Sequence, residues 1–274
     1  ASPLVGLGQV AANVWFPQPS DYLNNLDAPQ ITAQGAYFVE IDTGQALYQK
    51  NSRMQLPIAS LVKIMTVIIT LENKRLDSVV QISSVAAAME PDKMQLIAGE
   101  KMSVNELLDG IFLVSANDAA EALAENATGS REEFISLMNS KALQLGMKDT
   151  WFTNPTGLEE DDKKQYSSAY DVVLMARYAI KHFPQLVDIT SQPHIYLPQS
   201  QDHQDYDLYS GINLLTTYPG VMGFKTGFTP EAGLTLVTLA RRGDKEVLGV
   251  LLGSGDRRDE AKALLDYSFK KLGV

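Results

Sequence analysis

The sequence predicts an α+β fold: an antiparallel sheet built from both ends of the chain, flanked by helices and interrupted by an all-helical lobe. Three observations carry this. Ala36-Tyr37-Phe38-Val39-Glu40-Ile41 and Ala46-Leu47-Tyr48 bracket the turn Asp42-Thr43-Gly44 as an early hairpin. From about residue 83 to 146 the signals are helical. Strand-like runs then return at residues 221–226, 234–241 and 247–252, the last two joined by Arg242-Gly243-Asp244, before an amphipathic helix over 259–272.

Taken in order, residues 1–30 form an N-terminal arm, apolar over 4–16 but broken by Gly6, Gly8 and Asn13 and closed by Pro17 and Pro19. After the hairpin comes Pro57-Ile58-Ala59-Ser60-Leu61-Val62-Lys63, followed by the apolar run 64–71, a helix entered near Ala59 or Ser60. Being apolar on nearly all sides, it belongs in the core. A short strand follows around 79–82. Ser103-Val104-Asn105-Glu106 is a capping box that opens the helix over 107–114. Residues 118–127 are alanine-rich, Ser130 caps a helix that Gly146 closes, and Ser168 caps another running to about Lys181. There is no repeat and no linker composition. The expectation is one catalytic domain over 1–274, with a sheet half at about 28–82 and 150–274, a helical lobe at about 83–149 and no C-terminal β domain.

Bulk composition narrows the chemistry. At 274 residues, with 45% hydrophobic and 20% charged residues, the chain reads as a soluble globular protein with a sizeable core. A net charge of −10 with no basic cluster argues against a nucleic-acid partner. The absence of cysteine excludes disulfides, thiolate metal sites and a cysteine nucleophile. Three scattered histidines, His182, His194 and His203, make a histidine-rich metal site improbable, and neither metal nor cofactor is expected. No apolar run reaches the ~18–20 residues of a membrane span. The N-terminal Ala1-Ser2-Pro3-Leu4 lacks a basic leader, so an exported chain would have lost its signal peptide already.

Lys63 is the one ionisable side chain between Arg53 and Glu72. A lysine on a buried helix is costly unless paired or neutral, and desolvation lowers its pKa. Ser60 lies one turn earlier on the same face, so the two outline a nucleophile and its base. Spacing alone proves little, because Ser268-Phe269-Lys270-Lys271 fits it too; that match sits in a charged amphipathic stretch and reads as a solvated face. Ser115-Ala116-Asn117 falls on a short link between two helices of the lobe, where capping by itself explains serine and asparagine. Lys225-Thr226-Gly227 lies on a late strand among Gly220, Gly223 and Gly233, where a backbone or a ligand comes close.

Ser-x-x-Lys on a buried helix, Ser-x-Asn in a helical lobe and Lys-Thr-Gly on a late strand together resemble the signature of the penicillin-recognising serine enzymes. The likeness extends to the D-alanyl-D-alanine carboxypeptidases, the low-molecular-mass penicillin-binding proteins. It runs through Ile41-Asp42-Thr43-Gly44, the segment from Pro57 through Thr66, Ser115-Ala116-Asn117-Asp118-Ala119, Asn154-Pro155-Thr156-Gly157-Leu158 and the segment from Pro219 through Thr229. This resemblance implies a β-lactamase/transpeptidase-like fold and a serine D,D-carboxypeptidase. Such an enzyme removes the terminal D-Ala from peptidoglycan pentapeptides through a Ser60 acyl-enzyme and is acylated covalently by β-lactams. It implies Ser60 as nucleophile, Lys63 as base, Ser115 as proton carrier to the leaving amine, and Asn117 as holder of Lys63 and the substrate amide. Lys225, Thr226 and Gly227 would bind the terminal carboxylate, and the backbone N–H groups of Ser60 and Phe228 would form the oxyanion hole. An extracytoplasmic location follows from that substrate, with peripheral membrane association through a segment outside this sequence.

Two alternatives share this chemistry: a D,D-endopeptidase, which attacks the same carbonyl in cross-links, and a class A-like β-lactamase. The latter resembles Ser-Asp-Asn and Glu-x-x-Leu-Asn, and neither occurs here. The chain departs from the carboxypeptidases in two places. Ser168-Ala169-Tyr170-Asp171 stands where the family often has a basic third residue, and the segment before the Lys-Thr-Gly strand is Ser210-Gly211-Ile212-Asn213-Leu214-Leu215.

Overall fold

The computed structural model describes residues 15–18, 25, 27–160 and 163–274. The predicted N-terminal arm lies largely outside them. Among the described residues the first regular elements are a hairpin of β1 (Gly35–Glu40) and β2 (Ala46–Lys50), and a single 3-10 turn over Ala59–Leu61 leads into α1 (Val62–Asn73). The lobe follows: β3 (Val79–Gln81), α2 (Ser84–Ala87), β4 (Lys101–Ser103), α3 (Val104–Leu113), α4 (Asn117–Ala127) and α5 (Arg131–Gln144). Then come α6 (Ala169–His182), α7 (Gln185–Thr190), a hairpin of β5 (His194–Leu197) with β6 (Tyr206–Tyr209), and α8 (Leu214–Thr217). Three long strands, β7 (Val221–Thr229), β8 (Gly233–Arg242) and β9 (Lys245–Ser254), precede α9 (Arg257–Leu272).

The main sheet has the order β2-β1-β9-β8-β7, with every neighbouring pair antiparallel. The early hairpin docks on the last strand, so both chain ends build one sheet, as the sequence predicts. Alternation along β1 splits the core in two. Tyr37 and Val39 face a core shared with α1, the lobe and α6, whereas Ala36 and Phe38 face a second one closed by Leu264, Leu265 and Phe269 of α9. β7 is one of the two edge strands, and it lies along the turn that carries Ser60.

α1 is buried along nearly its whole length, from Val62 to Thr70, and packs against α4, α5 and α6. Full burial of one aliphatic side chain contributes roughly 1.5–3 kcal/mol, so this helix anchors both halves. The capping box at Ser103 and Glu106 forms as expected, and Ser130 and Ser168 cap α5 and α6. Gly146, in the left-handed region at φ 75°, ends the last turn of α5.

Several expectations need correction. Residues 83–146 are not helical throughout: a loop over 88–100 and the strand β4 interrupt them, where Pro91 and Gly99 break helical periodicity. The stretches β5, β6, α7 and α8 are too short to announce themselves in the sequence. Ser268 is fully buried on the inner face of α9, and only the lysines beside it are solvated.

Candidate active site

Four pieces of chain meet at the amine of Lys63. The 3-10 turn brings Ser60, α1 brings Lys63, the N-terminus of α4 brings Asn117, and the loop over 154–157 brings a backbone carbonyl. Lys63 Nζ lies 2.8 Å from Ser60 Oγ, 2.7 Å from Asn117 Oδ1 and 2.6 Å from the Thr156 carbonyl oxygen. Two of these neighbours can only accept. The third, a hydroxyl, can also donate. A neutral amine fits that set: its two N–H groups serve the carbonyls, and its lone pair receives the Ser60 proton.

Electrostatics favour the same state. Lys63 has no exposed surface. Burial, and after it the charge of Lys225, hold its amine well below the ordinary lysine value of 10.5, against the opposing influence of Asp92 and Asp118. Ser60 is buried but keeps 8% of its surface, so the nucleophile is not wholly enclosed.

The carbonyl that reaches Lys63 is set by Asn154, a contributor the sequence reading does not assign. Asn154 Oδ1 accepts from the backbone N–H groups of Thr156 (3.2 Å) and Gly157 (2.8 Å) and from Gln165 Nε2 (3.1 Å). Its amide donates to Leu158 O at 2.9 Å, which closes the loop around the side chain. Thr66 Oγ1, one turn along α1 from Lys63, ties the loop down through Pro155 O at 2.6 Å. Gly157 has φ +87°, and a Cβ there would sit 2.2 Å from Ala59 O. Only glycine allows this approach. On the other side, Gly227 of β7 presses on the same Ala59–Ser60 peptide, where a Cβ would lie 2.9 Å from Ser60 N. Asn-Pro-Thr-Gly is the signal that could have revealed the loop's task.

Lys225 reaches the cleft from β7, also without exposed surface. It donates to Ser115 Oγ at 2.9 Å and to Thr226 O at 2.7 Å. Burial, reinforced by Arg257, brings it down to about 7, with Asp92 acting in the opposite sense. Arg257, at the start of α9, is the second residue missed: its guanidinium donates to Gly227 O at 2.7 Å and to Thr235 O at 3.3 Å, and so braces β7 behind the site. Phe112 and Phe224, 5.2 Å apart edge to face, join α3 to the same strand.

Ser115 has φ +60°, the left-handed conformation, as the chain turns between α3 and α4. Its hydroxyl faces Lys225, and no hydrogen bond joins it to Ser60 or Lys63. Asn117 is fixed by its own N–H, which donates to Asp92 O at 2.7 Å. The neighbouring Asp118 holds the facing loop by accepting from Met94 N and Leu96 N. Thr226 is half-buried, and Phe228 is 58% exposed.

The two departures have local explanations. The Tyr170 ring is covered by the Arg53 guanidinium at 3.4 Å, and Arg53 also pairs with Asp171 at 3.3 Å. A basic group therefore reaches this spot from another segment. The Ser210-Gly211 segment lies against the site: Gly211 N–H donates to Leu113 O, just before Ser115. Glu159 and Glu160, the carboxylates of the loop after Gly157, line a cavity beside Ala59, and both have partners within the protein. Glu159 accepts from Glu231 N at 3.0 Å, and Glu160 pairs with Arg131 at 3.4 Å.

Comparison with known proteins agrees with this geometry. The profile of the D-alanyl-D-alanine carboxypeptidase family matches residues 23–256. D-alanyl-D-alanine carboxypeptidase DacF of Bacillus subtilis is 38% identical over 247 residues, which cover 87% of this chain and 62% of that protein. The chain therefore spans less than two thirds of that relative. The crystal structure of D-alanyl-D-alanine carboxypeptidase from Mycobacterium tuberculosis superposes with a TM-score of 0.82 at 30% identity, covering 89% of this chain and 93% of that one. The Streptomyces K15 DD-transpeptidase gives a TM-score of 0.82 at 31% identity, covering 89% of this chain and 99% of that one. The α+β fold is thus transpeptidase-like, and the chain belongs to the D-alanyl-D-alanine carboxypeptidase family.

Proposed function

We propose that the chain is a serine D,D-carboxypeptidase acting on peptidoglycan stem peptides that end in D-Ala-D-Ala. The observation that carries this reading is the Lys63 amine, buried between Ser60 Oγ and two carbonyl oxygens. Ser60 Oγ attacks the carbonyl carbon of the penultimate D-Ala while its proton passes to Lys63 Nζ. The oxyanion is held by the backbone N–H groups of Ser60 and Phe228. Ser115 gives its own proton to the nitrogen of the leaving D-Ala and takes one in turn from Lys225, which donates to Ser115 Oγ. Expulsion of that amine leaves the acyl-enzyme, and water then releases the shortened peptide. Asn117 holds Lys63 and meets the substrate amide. Lys225, Thr226 and Gly227 take the terminal carboxylate, whose charge favours the protonated form of Lys225.

In this reading the chain works as one catalytic unit, with the cleft between the sheet half and the lobe over 83–149. A β-lactam, which places a reactive carbonyl and a carboxylate in the same places, acylates Ser60. The substrate sets the location outside the cytoplasm. Among the described residues no helix is long and apolar enough to cross a membrane.

The test is incubation with a labelled penicillin and with a peptide ending in D-Ala-D-Ala. The expected result is an adduct on Ser60 and release of D-Ala, with Ser60→Ala losing both. An adduct that forms on Ser60→Ala, or rapid penicillin hydrolysis without peptide cleavage, contradicts the reading.

A further inference from the structure

A groove of about 640 Å³ lies between α5 and the segment that leads into the Asn154 loop. Its floor is apolar, made by Ile135, Ala142 and Met147, and two exposed apolar side chains stand over it, Leu143 and Trp151. The volume falls within the roughly 300–1,000 Å³ of small-molecule sites. An indole left in water beside an apolar floor marks an interaction surface. Asn139 fixes the groove's width: its side chain donates to Phe152 O and accepts from Phe152 N, each at 2.9 Å, which ties α5 to the segment that carries Trp151.

The rim is polar and balanced in charge. Ser136 and Ser140 are exposed, and so are one acid, Glu132, and one base, Lys148. Among the described residues none of these four side chains has a partner within the protein. Such a rim gives a polyanion no hold. It suits a neutral ligand with an apolar face and many hydroxyl and amide groups, which is the chemistry of an N-acetylated sugar. Position agrees with composition. Gln165 walls the cavity beside Ala59 and Gly157, and the next residue, Tyr166, pairs with Trp151 through two backbone bonds, at 2.9 and 3.1 Å. One step along the chain and one across that bridge, roughly 3.8 and 5.5 Å, separate the cavity wall from the groove. In a pentapeptide three residues precede D-Ala-D-Ala, and at about 3.5 Å each they place the sugar roughly 10 Å beyond that pair, a span of the same size.

We propose that this groove binds the glycan strand from which the stem peptide hangs, with the apolar face of one sugar on the Trp151 indole and its hydroxyl and N-acetyl groups at Ser136 and Ser140. Peptide and sugar are then held by two sites on one substrate, so the groove raises affinity for the polymer over the free peptide. This inference rests on the carboxypeptidase reading.

The test has a binding arm and a turnover arm. The chain has two tryptophans, so NMR shows two indole N–H signals, and Trp151→Phe assigns one of them. A tetrasaccharide of the glycan, free of stem peptide, should shift the Trp151 signal saturably. Ser140→Arg, which fills the groove from an exposed position on α5, should abolish that shift. In turnover, a pentapeptide carried on the tetrasaccharide should exceed the same pentapeptide N-acetylated by about fivefold or more in kcat/KM for D-Ala release, through KM. Trp151→Ala and Ser140→Arg should each bring that ratio below about twofold. No shift at Trp151, or a ratio that survives in both variants, overturns the glycan site and leaves the carboxypeptidase reading standing. Self-association that Ser140→Arg abolishes, with no response to the sugar, gives the groove to a second copy and overturns the proposal as well. No release from either substrate, together with no penicillin adduct on Ser60, defeats the underlying reading instead, and the NMR arm is read independently of it.

Discussion

Two fully buried lysines share this cleft, and their surroundings give them opposite tasks. Lys63 meets three oxygens, two of which cannot donate, and its amine is held well below the ordinary lysine range. Lys225 has two oxygen partners and comes down to about 7, where the charge of an arriving carboxylate favours its protonated form. Burial is the first cause in both cases. After burial, a different neighbouring cation acts on each: Lys225 lowers Lys63 further, and Arg257 lowers Lys225.

The sharpest way to break this comparison is to make each lysine a permanent cation. Lys63→Arg cannot accept a proton, and acylation by penicillin, followed by stopped flow, should fall about 10³-fold or more. Lys225→Arg keeps the charge that its role needs, and its acylation rate should fall by less than about 30-fold. Equal losses would mean that the two lysines do not differ as described.

A second test acts on the loop that supplies the Thr156 carbonyl. Gly157→Ala puts a Cβ 2.2 Å from Ala59 O at φ +87°, so unfolding in denaturant should show a loss of roughly 2–4 kcal/mol together with slower acylation. Unchanged stability would contradict the close approach.

The third concerns pH. The Lys225 pKa is lowered on folding, so between about 7 and the ordinary 10.5 the unfolded chain binds a proton that the folded chain does not. Stability then rises with pH in that window, by up to about 1.4 kcal/mol per pH unit for this one group. Burial raises the hydroxyl pKa of Tyr37, Tyr178, Tyr206 and Tyr218 above the ordinary 10, which lowers stability again once unfolded tyrosines ionise. The measurement therefore belongs between pH 7 and 9, by denaturant unfolding. Lys225→Met should flatten the rise there, and an identical slope in both proteins would contradict the shift.

The smallest effect is expected at Phe228. Its side chain is 58% exposed and its role is its backbone N–H, so Phe228→Ala should change acylation less than about threefold. A loss of 10²-fold would assign the ring a contact the account lacks.

Much of this was legible in the sequence, for identifiable reasons. The hairpin at Asp42-Thr43-Gly44 and the caps at Ser103, Ser130 and Ser168 are local, and each carries its own signal. The odd lysine in an apolar helix marked the site. Thr156 could not be read as a lysine partner because a carbonyl oxygen is common to every residue, and only the Asn154 turn aims it. Arg257 sits in the run Arg257-Arg258-Asp259-Glu260, where nothing distinguishes the one that turns inward. Ser268 misled because its charged neighbours hide an apolar stripe of period 3.6. Arg53 over Tyr170 joins segments far apart in sequence, and no local pattern predicts it.

The central claim is that the Lys63 amine is neutral when Ser60 attacks. NMR titration of protein labelled at the lysine side chains, with Lys63→Arg to assign the signal, measures that state directly. The account predicts a neutral amine at Lys63 far below the ordinary lysine value of 10.5. An ammonium signal that persists up to 10.5 would contradict it.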